Sequence, residues 1–167
     1  PPFRPAFDVG VRSVMTGHLA LPALAPDSVP ATLSRPLTHD LLREDLGFDG
    51  LIVTDALNMQ AVTRTFGVGE TAVRVLEAGA DLVLMSTNPW AAHDAIRTAV
   101  TNGRLDTTEI NDSVRRLLET KQELDLHDAR EVPLTTTRNQ VARRSHEVLS
   151  RTVARESLTL LANKDTL

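Results

Sequence analysis

The stretch GFDGLIVTD, residues 47–55, decides the fold, because a glycine is followed by a short apolar run that ends on a carboxylate. Apolar and polar side chains do not alternate over residues 51–54, which indicates a strand buried on both faces, as in a parallel sheet. Gly47 stands where a preceding helix would end on a left-handed residue. The stretch therefore predicts a helix end, a turn and a buried strand with Asp55 at its carboxyl end.

The same order of features occurs twice more, as VGVRSVMTGH at residues 9–18 and AGADLVLMS at residues 78–86. Gly10 and Gly79 take the place of Gly47. Strands that alternate with helices are typical of the α/β class. We expect three adjacent parallel strands in sequential order, near residues 11–16, 51–54 and 81–85, with His18, Asp55 and Ser86 at one end.

The second half of the chain contains two patterns that start helices. One is an asparagine followed by a proline, and the other resembles a capping box, an aspartate followed three residues later by a glutamate. A polar stretch that carries a proline then indicates a linker. The predicted segments are a helix from Asn88 to about Gly103, a helix after Asp106, a linker at 125–137, a helix over 140–155 and a strand over 157–161.

Composition excludes several classes of function. The 167 residues carry a net charge of -4 and include no cysteine, so disulfides, thiolate metal sites and cysteine nucleophiles are excluded. The acidic balance argues against nucleic acid or an anionic membrane as the main partner. We find no glycine-rich phosphate loop, no metal-spaced cluster and no membrane segment in the sequence, and therefore expect no cofactor and no metal. The cellular compartment, cytoplasmic or cell-envelope, stays open.

Asp55 is the leading candidate for chemistry. It follows an apolar strand directly, and active sites of α/β folds form at the carboxyl ends of the strands. A carboxylate there is costly to desolvate without a partner. Its position alone leaves a second interpretation equally open, in which Asp55 caps a helix or lies in a loop.

Two further residues are candidates for binding a substrate, and each has a structural alternative. His18 follows its strand as Asp55 does, and it either contacts a sugar hydroxyl or is satisfied within a loop. Met59 either lines a pocket or fills a gap in the core. Trp90 is expected to pack on its helix, with stacking on a sugar as the alternative, and His39 is expected to be solvated.

Residues 47–59, GFDGLIVTDALNM, resemble the nucleophile segment of glycoside hydrolase family 3. The Thr-Asp pair, followed by leucine and methionine, is similar to the β-N-acetylhexosaminidase branch, whereas β-glucosidases of the family more often place tryptophan where Ala56 stands. Other stretches resemble family segments in the family's order. They are VMTGH at 14–18 (the sixth strand), AGADLVL at 78–84 (the eighth), residues 110–121 (the closing helix) and ARESLTLL at 154–161 (the entry to a second domain).

The resemblance implies an α/β fold that is the C-terminal portion of a TIM (β/α)8-type barrel, with about three βα units. A helical linker would lead toward a second α/β sandwich domain. Three units cannot close a barrel of eight, so the missing N-terminal barrel half is an expected partner. The implied domains are residues 1–124, a partial barrel, residues 125–156, a linker and helix, and residues 157–167, the start of a truncated second domain.

The resemblance also implies a retaining mechanism, in which Asp55 matches the attacking carboxylate. In this branch the acid/base is a histidine on a loop after the fifth strand, so it is not in this chain, and the chain alone is expected to be inactive. The implied substrate is a small carbohydrate with a terminal β-linked N-acetylglucosamine, for example from peptidoglycan. His18 and Met59 are the expected substrate contacts. The acceptor, water or phosphate, stays open.

Three rival functions remain at this point. One is a β-glucosidase of the same family. A second is a receiver-like phospho-acceptor, which would need an acidic pair after the first strand and a lysine after the last, and neither is present. The third is a non-catalytic binding module, which is compatible with the expected absence of the acid/base.

Overall fold

The computed structural model describes residues 3–24 and 29–162, apart from the side chains of residues 60, 61, 63 and 64. The chain divides into two compact units, Pro1–Leu124 and Asp125–Leu167. In the first unit, helices alternate with short extended segments, which agrees with the α/β class. Its elements are α1 (Phe3–Asp8), β1 (Ser13–Met15), a 3-10 turn (Ala31–Leu33), a π-helix (Pro36–Asp45), β2 (Leu51–Val53), α2 (Gln60–Glu77), α3 (Pro89–Thr101) and α4 (Thr107–Glu123).

The two regular strands pair in parallel, with Ser13 opposite Leu51 and Met15 opposite Val53. Beyond the paired residues, the contact continues toward the carboxyl ends, where Thr16 N donates to Val53 O at 2.9 Å. The parallel pairing and the sequential order of β1 and β2 therefore confirm this part of the prediction. The carboxyl ends of both strands meet at one edge.

The third predicted strand, near residues 81–85, is only partly formed. It lies parallel to β2, but one bridge, between Val53 and Leu82, is its sole ladder pairing in the described chain. The physical reason is visible two residues later, where Leu84 N donates to the Thr54 hydroxyl at 2.9 Å instead of to a backbone carbonyl. Met85 then has φ 49, outside the β region. The prediction of a full strand is thus wrong, although its place and direction are correct.

The three glycines that lie between a helix and the extended segment after it are left-handed, as predicted. Gly10, Gly47 and Gly79 have φ values of 79, 65 and 96, a region that only glycine enters without strain. At Gly79 there is a second constraint, because an added Cβ would lie 2.8 Å from the Cβ of His39. The sequence signal therefore reports both backbone conformation and close packing.

Gly79 and Gly10 give a matched pair of substitutions. We expect Gly79→Ala to lower the free energy of unfolding by about 2–4 kcal/mol, from left-handed strain together with the clash against His39. Gly10→Ala carries only the strain, since nothing lies within 4 Å of its added Cβ, and should cost about 1–2 kcal/mol. Urea unfolding of a full-length protein that contains this chain would measure both, and equal losses would contradict the packing argument.

The core of the first unit lies between β2 and the helices that follow it. Ile52, Val62 and Val75 are completely buried, and Phe48 and Leu57 close the cluster at either end of β2. A second cluster joins α2 to α3 through buried Val73, Ala99 and Leu105. By contrast, Met15 on β1 is 57% exposed, and β1 has no other strand beside it in the described chain. The fold is therefore well packed around β2 and open on the β1 side.

Helices α3 and α4 begin as their sequences predict. The Asn88 side chain accepts from Ala91 N, and Pro89 is the first helical residue. The Asp106 side chain accepts from Thr108 N at 2.7 Å, which caps α4. The capping box is only half formed, because Glu109 pairs with Arg35 at 3.2 Å.

A guanidinium cluster joins α2 to the segment between α3 and α4. Arg104 donates to both carboxylates of Glu70 and Glu77, at distances of 2.7–3.0 Å. Hydrogen bonds from Arg104 and then Arg74 lower the pKa of Glu70 to about 2. Glu70 therefore stays ionised across the whole neutral range, and the cluster fastens α2 against the segment between α3 and α4.

A buried ion network lies at the amino ends of the strands. The Asp81 carboxylate is 1% exposed, and it accepts from Arg43, from Arg116 at 2.9 Å and from Ser113 at 2.8 Å. Ile52 N donates to it at 2.8 Å. Burial lowers the pKa of Arg43, and its contact with Asp81 opposes that shift. One side chain thus connects the π-helix, β2 and α4.

The second unit differs from the sequence prediction in three places. Within the expected linker at 125–137, a helix α5 begins, and it spans Leu134–Gln140 with Pro133 as its N-cap. The next helix, α6, spans Arg144–Glu156, so its start at residue 140 was wrong. Proline is tolerated at the start of a helix because the first turn needs no backbone donor. Pro133 is therefore compatible with a helix start as well as with a linker.

The strand expected over residues 157–161 is not formed, and residues 157–162 have no regular structure. An extended segment needs a partner to satisfy its backbone groups, and no strand lies beside it in the described residues of this unit. Residues 163–167, which belong to the predicted start of a second domain, lie outside the described residues, as do Pro1 and Pro2. None of the helices that the structure describes has the length and apolar character for crossing a membrane.

Candidate active site

The structure brings two of the predicted site residues together at the carboxyl edge of the sheet. His18 follows β1 and Asp55 follows β2, and both are partly buried. They are linked through one residue, since His18 Nε2 lies 3.1 Å from Ala56 O. Ser86 ends the third extended segment at the same edge. The prediction that these three residues lie at one end of the strands is therefore confirmed.

Asp55 is held by its backbone and by one of its two carboxylate oxygens. Its N–H donates to Thr16 O at 3.1 Å, and its Oδ1 accepts from Ala56 N at 2.7 Å. Within the described part of the chain, Oδ2 accepts no hydrogen bond and no cation pairs with the carboxylate. The arrangement fixes the direction of the side chain and leaves one oxygen available for a reacting atom.

The hydroxyl of Thr54, the residue before Asp55, contacts the third extended segment. Its side chain is completely buried, and its Oγ1 accepts from Leu84 N at 2.9 Å. Its own N–H donates to Leu82 O at 3.0 Å, and Leu57 N donates to Leu84 O at 2.9 Å. Backbone contacts on both sides therefore hold the Asp55 turn against the third extended segment.

His18 is engaged through both ring nitrogens. Nδ1 lies 3.0 Å from Thr32 Oγ1, and Nε2 lies 3.1 Å from Ala56 O. Thr32 is completely buried in the 3-10 turn, and its hydroxyl also accepts from Thr16 Oγ1 at 3.0 Å. Reasoning from the sequence missed Thr16 and Thr32, because nothing in the local pattern links residue 32 to residue 18.

The other candidate residues are more exposed. Met59 is 44% exposed and is the N-cap residue of α2, and it stays a predicted substrate contact. Trp90, the second residue of α3, is 81% exposed, so the prediction that it packs on its helix is wrong. Asn88 caps this helix, as predicted. Ser86 Oγ is buried and has no hydrogen-bond partner in the described structure.

One group of three residues could offer ligand atoms to a metal, at a distance from this edge. His39, Asp40 and Glu44 on the π-helix have ligand atoms within 4.8 Å of one another. His39 is half-buried against Gly79, at the amino end of the third segment, so it is less solvated than expected. Its Nδ1 lies 3.0 Å from Asp40 Oδ1, a pairing that accounts for the cluster without an ion. Among the described residues, Asp55 belongs to no such group of three.

The family model of the glycosyl hydrolase family 3 N-terminal domain matches residues 1–120. The chain belongs to glycosyl hydrolase family 3. Its first unit is therefore part of a domain with a TIM-barrel-type fold. Family membership agrees with the resemblance that the nucleophile segment carried, and it excludes the receiver-like alternative.

Several named relatives and one solved structure are similar to this chain. A family 3 β-N-acetylglucosaminidase from Paenibacillus sp. str. FPU-7 is 41% identical with a TM-score of 0.82, over 99% of this chain and 32% of that one. A β-N-acetylglucosaminidase/β-glucosidase of Cellulomonas fimi is 32% identical over 95% of this chain and 30% of its own length. A β-hexosaminidase of Nitrosomonas eutropha is 36% identical over 57% of this chain and 27% of its own length. This chain thus spans about a third or less of these relatives.

Proposed function

We propose that this chain supplies the catalytic nucleophile, Asp55, of a retaining glycosidase that removes terminal β-linked N-acetylglucosamine. The observation that carries the proposal is the geometry of the carboxylate. It lies at the carboxyl end of β2, with Oδ1 oriented by Ala56 N and Oδ2 open. The relatives named for β-N-acetylglucosaminidase or β-hexosaminidase activity support the choice of sugar.

We further propose that residues 1–124 are the last βα units of a (β/α)8 barrel, followed by a linker and the entry to a second domain. The parallel order of β1, β2 and the third extended segment supports this proposal. So does the exposure of Met15 on β1, the side on which further strands would pair. In such a barrel the carboxyl edge that holds His18 and Asp55 faces the substrate.

The reaction divides between residues of this chain and residues outside it. An oxygen of Asp55 forms a bond to the anomeric carbon as the glycosidic C–O bond breaks, and an acid/base outside these 167 residues protonates the leaving oxygen. Water then attacks the anomeric carbon, its proton passes to the acid/base, and the ester bond to Asp55 breaks. His18 does not serve as the acid/base in this scheme, because both of its nitrogens already contact protein groups.

A β-glucosidase is the second candidate function. The Cellulomonas fimi relative bears both activities in its name, which favours testing it directly. Ala56 leaves more space after the nucleophile than the tryptophan that is common in β-glucosidases of this family. We therefore expect the acetamido sugar to be the better substrate.

Covalent trapping tests this proposal. A full-length protein that contains this chain is treated with an activated 5-fluoro glycosyl fluoride of N-acetylglucosamine, which forms the ester quickly and releases it slowly. Mass spectrometry of the digest should find one labelled peptide, the one with Asp55. The corresponding glucose reagent serves as the specificity control and should label more slowly. A label on another carboxylate would refute the assignment.

A further inference from the structure

We infer that His18 is a positioning residue that orients the nucleophile through the peptide of Ala56. The inference rests on the proposed role of Asp55. The contact that carries it is the 3.1 Å distance between His18 Nε2 and Ala56 O, on the residue whose N–H holds Asp55 Oδ1 at 2.7 Å. Ala56 is therefore held at its N–H and at its C=O, to which Met59 N also donates at 3.1 Å, and this limits rotation of the backbone that carries the orienting N–H.

The hydrogen-bond partners of His18 define one tautomer. Ala56 O can only accept, so Nε2 must carry the proton. In the neutral ring Nδ1 then accepts from the hydroxyl of Thr32, which is free to donate because it accepts from Thr16 Oγ1. Every donor in this relay has an acceptor, and the buried Thr32 hydroxyl both donates and accepts.

The same β1 end contacts Asp55 from its other side. Asp55 N donates to Thr16 O at 3.1 Å, so Thr16 holds the backbone of Asp55 itself and His18 holds the next residue, Ala56. The 3-10 turn contributes Thr32 as the support of the imidazole. A displacement of about 1 Å at a reacting group can lower a rate about a hundredfold, so loss of this support should appear in the chemical step.

Two amide substitutions separate the contacts of the ring. In His18→Gln the amide nitrogen reaches the place of Nε2 and can still donate to Ala56 O. In His18→Asn the amide reaches only the place of Nδ1, so the bond to Ala56 is lost. Both are made in a full-length protein that contains this chain, and thermal unfolding verifies that each variant folds.

The rate of labelling by the 5-fluoro glycosyl fluoride is the readout, since a fluoride leaving group needs little acid help. We expect His18→Asn to label Asp55 about tenfold to a hundredfold more slowly, with KM for an aryl glycoside nearly unchanged. His18→Gln should stay within about threefold of the unsubstituted protein. A merely structural role would lower stability without this split between the two variants.

The outcomes separate this inference from the proposed function. If the unsubstituted protein labels at Asp55 and His18→Asn labels at the same rate, the positioning role is overturned. If His18→Gln is as slow as His18→Asn, the ring itself acts on the substrate and the inference is also wrong. Labelling of a different carboxylate in the unsubstituted protein would overturn the proposed function and this inference with it.

A measurement on the unsubstituted protein does not depend on the variants folding. In ¹⁵N-histidine NMR spectra of the free protein at a pH where the ring is neutral, His18 should show the Nε2–H tautomer, because Ala56 O requires the proton there. His18→Gln identifies its signals by their disappearance. An Nδ1–H tautomer at His18 would contradict the relay.

Discussion

Replacing Asp55 with asparagine should lower kcat at least about a thousandfold in a full-length protein that contains this chain. Asparagine keeps the shape of the side chain and can still accept from Ala56 N, but it has no oxygen that can form the glycosyl ester. The fold and sugar binding should persist, since the backbone bond from Asp55 N to Thr16 O is unaffected. Steady-state kinetics with an aryl β-N-acetylglucosaminide would measure the loss.

Two controls make this result specific. Asp49→Asn changes an exposed carboxylate at the amino end of β2 and should leave kcat within about twofold. Asp55→Gly with added azide should regain turnover and yield the α-glycosyl azide, because azide attacks from the face that the carboxylate has vacated. Near-normal hydrolysis by Asp55→Asn would refute the nucleophile assignment.

Replacing Asp81 with asparagine should lower the free energy of unfolding by about 3–5 kcal/mol, without a direct effect on the chemical step. The carboxylate is 1% exposed and accepts from two guanidinium groups, one hydroxyl and one backbone N–H. The amide would deprive Arg43, whose side chain is 11% exposed, of its ion pair with Asp81. Urea unfolding of the full-length protein would measure the loss.

Asp49→Asn is the matched control here also, because it removes one carboxylate from the same end of the sheet. Its side chain is exposed, so we expect a change within about 0.5 kcal/mol. A loss below about 1 kcal/mol for Asp81→Asn would mean that water reaches the network. A large loss of kcat in folded Asp81→Asn would place the network in the chemistry.

The sequence was informative wherever a local rule has a single physical solution. Gly10, Gly47 and Gly79 are left-handed because a helix must end before each strand. Asn88 and Asp106 cap their helices because the first turn needs acceptors. Asp55 was placed at the carboxyl end of a buried strand because an apolar run there ends on a carboxylate, and β2 ends at Val53.

Contacts between distant segments were not predictable. The third strand is interrupted because the Thr54 hydroxyl replaces a backbone acceptor, which no periodicity reveals. Thr32 supports His18 across 14 residues, and an isolated threonine gives no signal of that role. Pro133 was read as a linker residue, although the same residue type also precedes helices such as α5. Sequence patterns therefore do not reveal a contact in which one side chain joins two distant elements.

The Asp81 network also sets an order of events during synthesis. Arg43 leaves the ribosome before Asp81, whereas Arg116 follows it by 35 residues. A nascent chain can therefore neutralise the carboxylate with one guanidinium once the third extended segment lies beside β2, but the second guanidinium and the Ser113 hydroxyl arrive only with α4. Because a buried charge with incomplete partners is unfavourable, the amino end of this sheet should close only after α4 has emerged. A pause that holds the chain with residue 81 outside the ribosome and residue 116 still inside it would leave Asp81 with incomplete partners, and a pause after residue 123 has emerged would not.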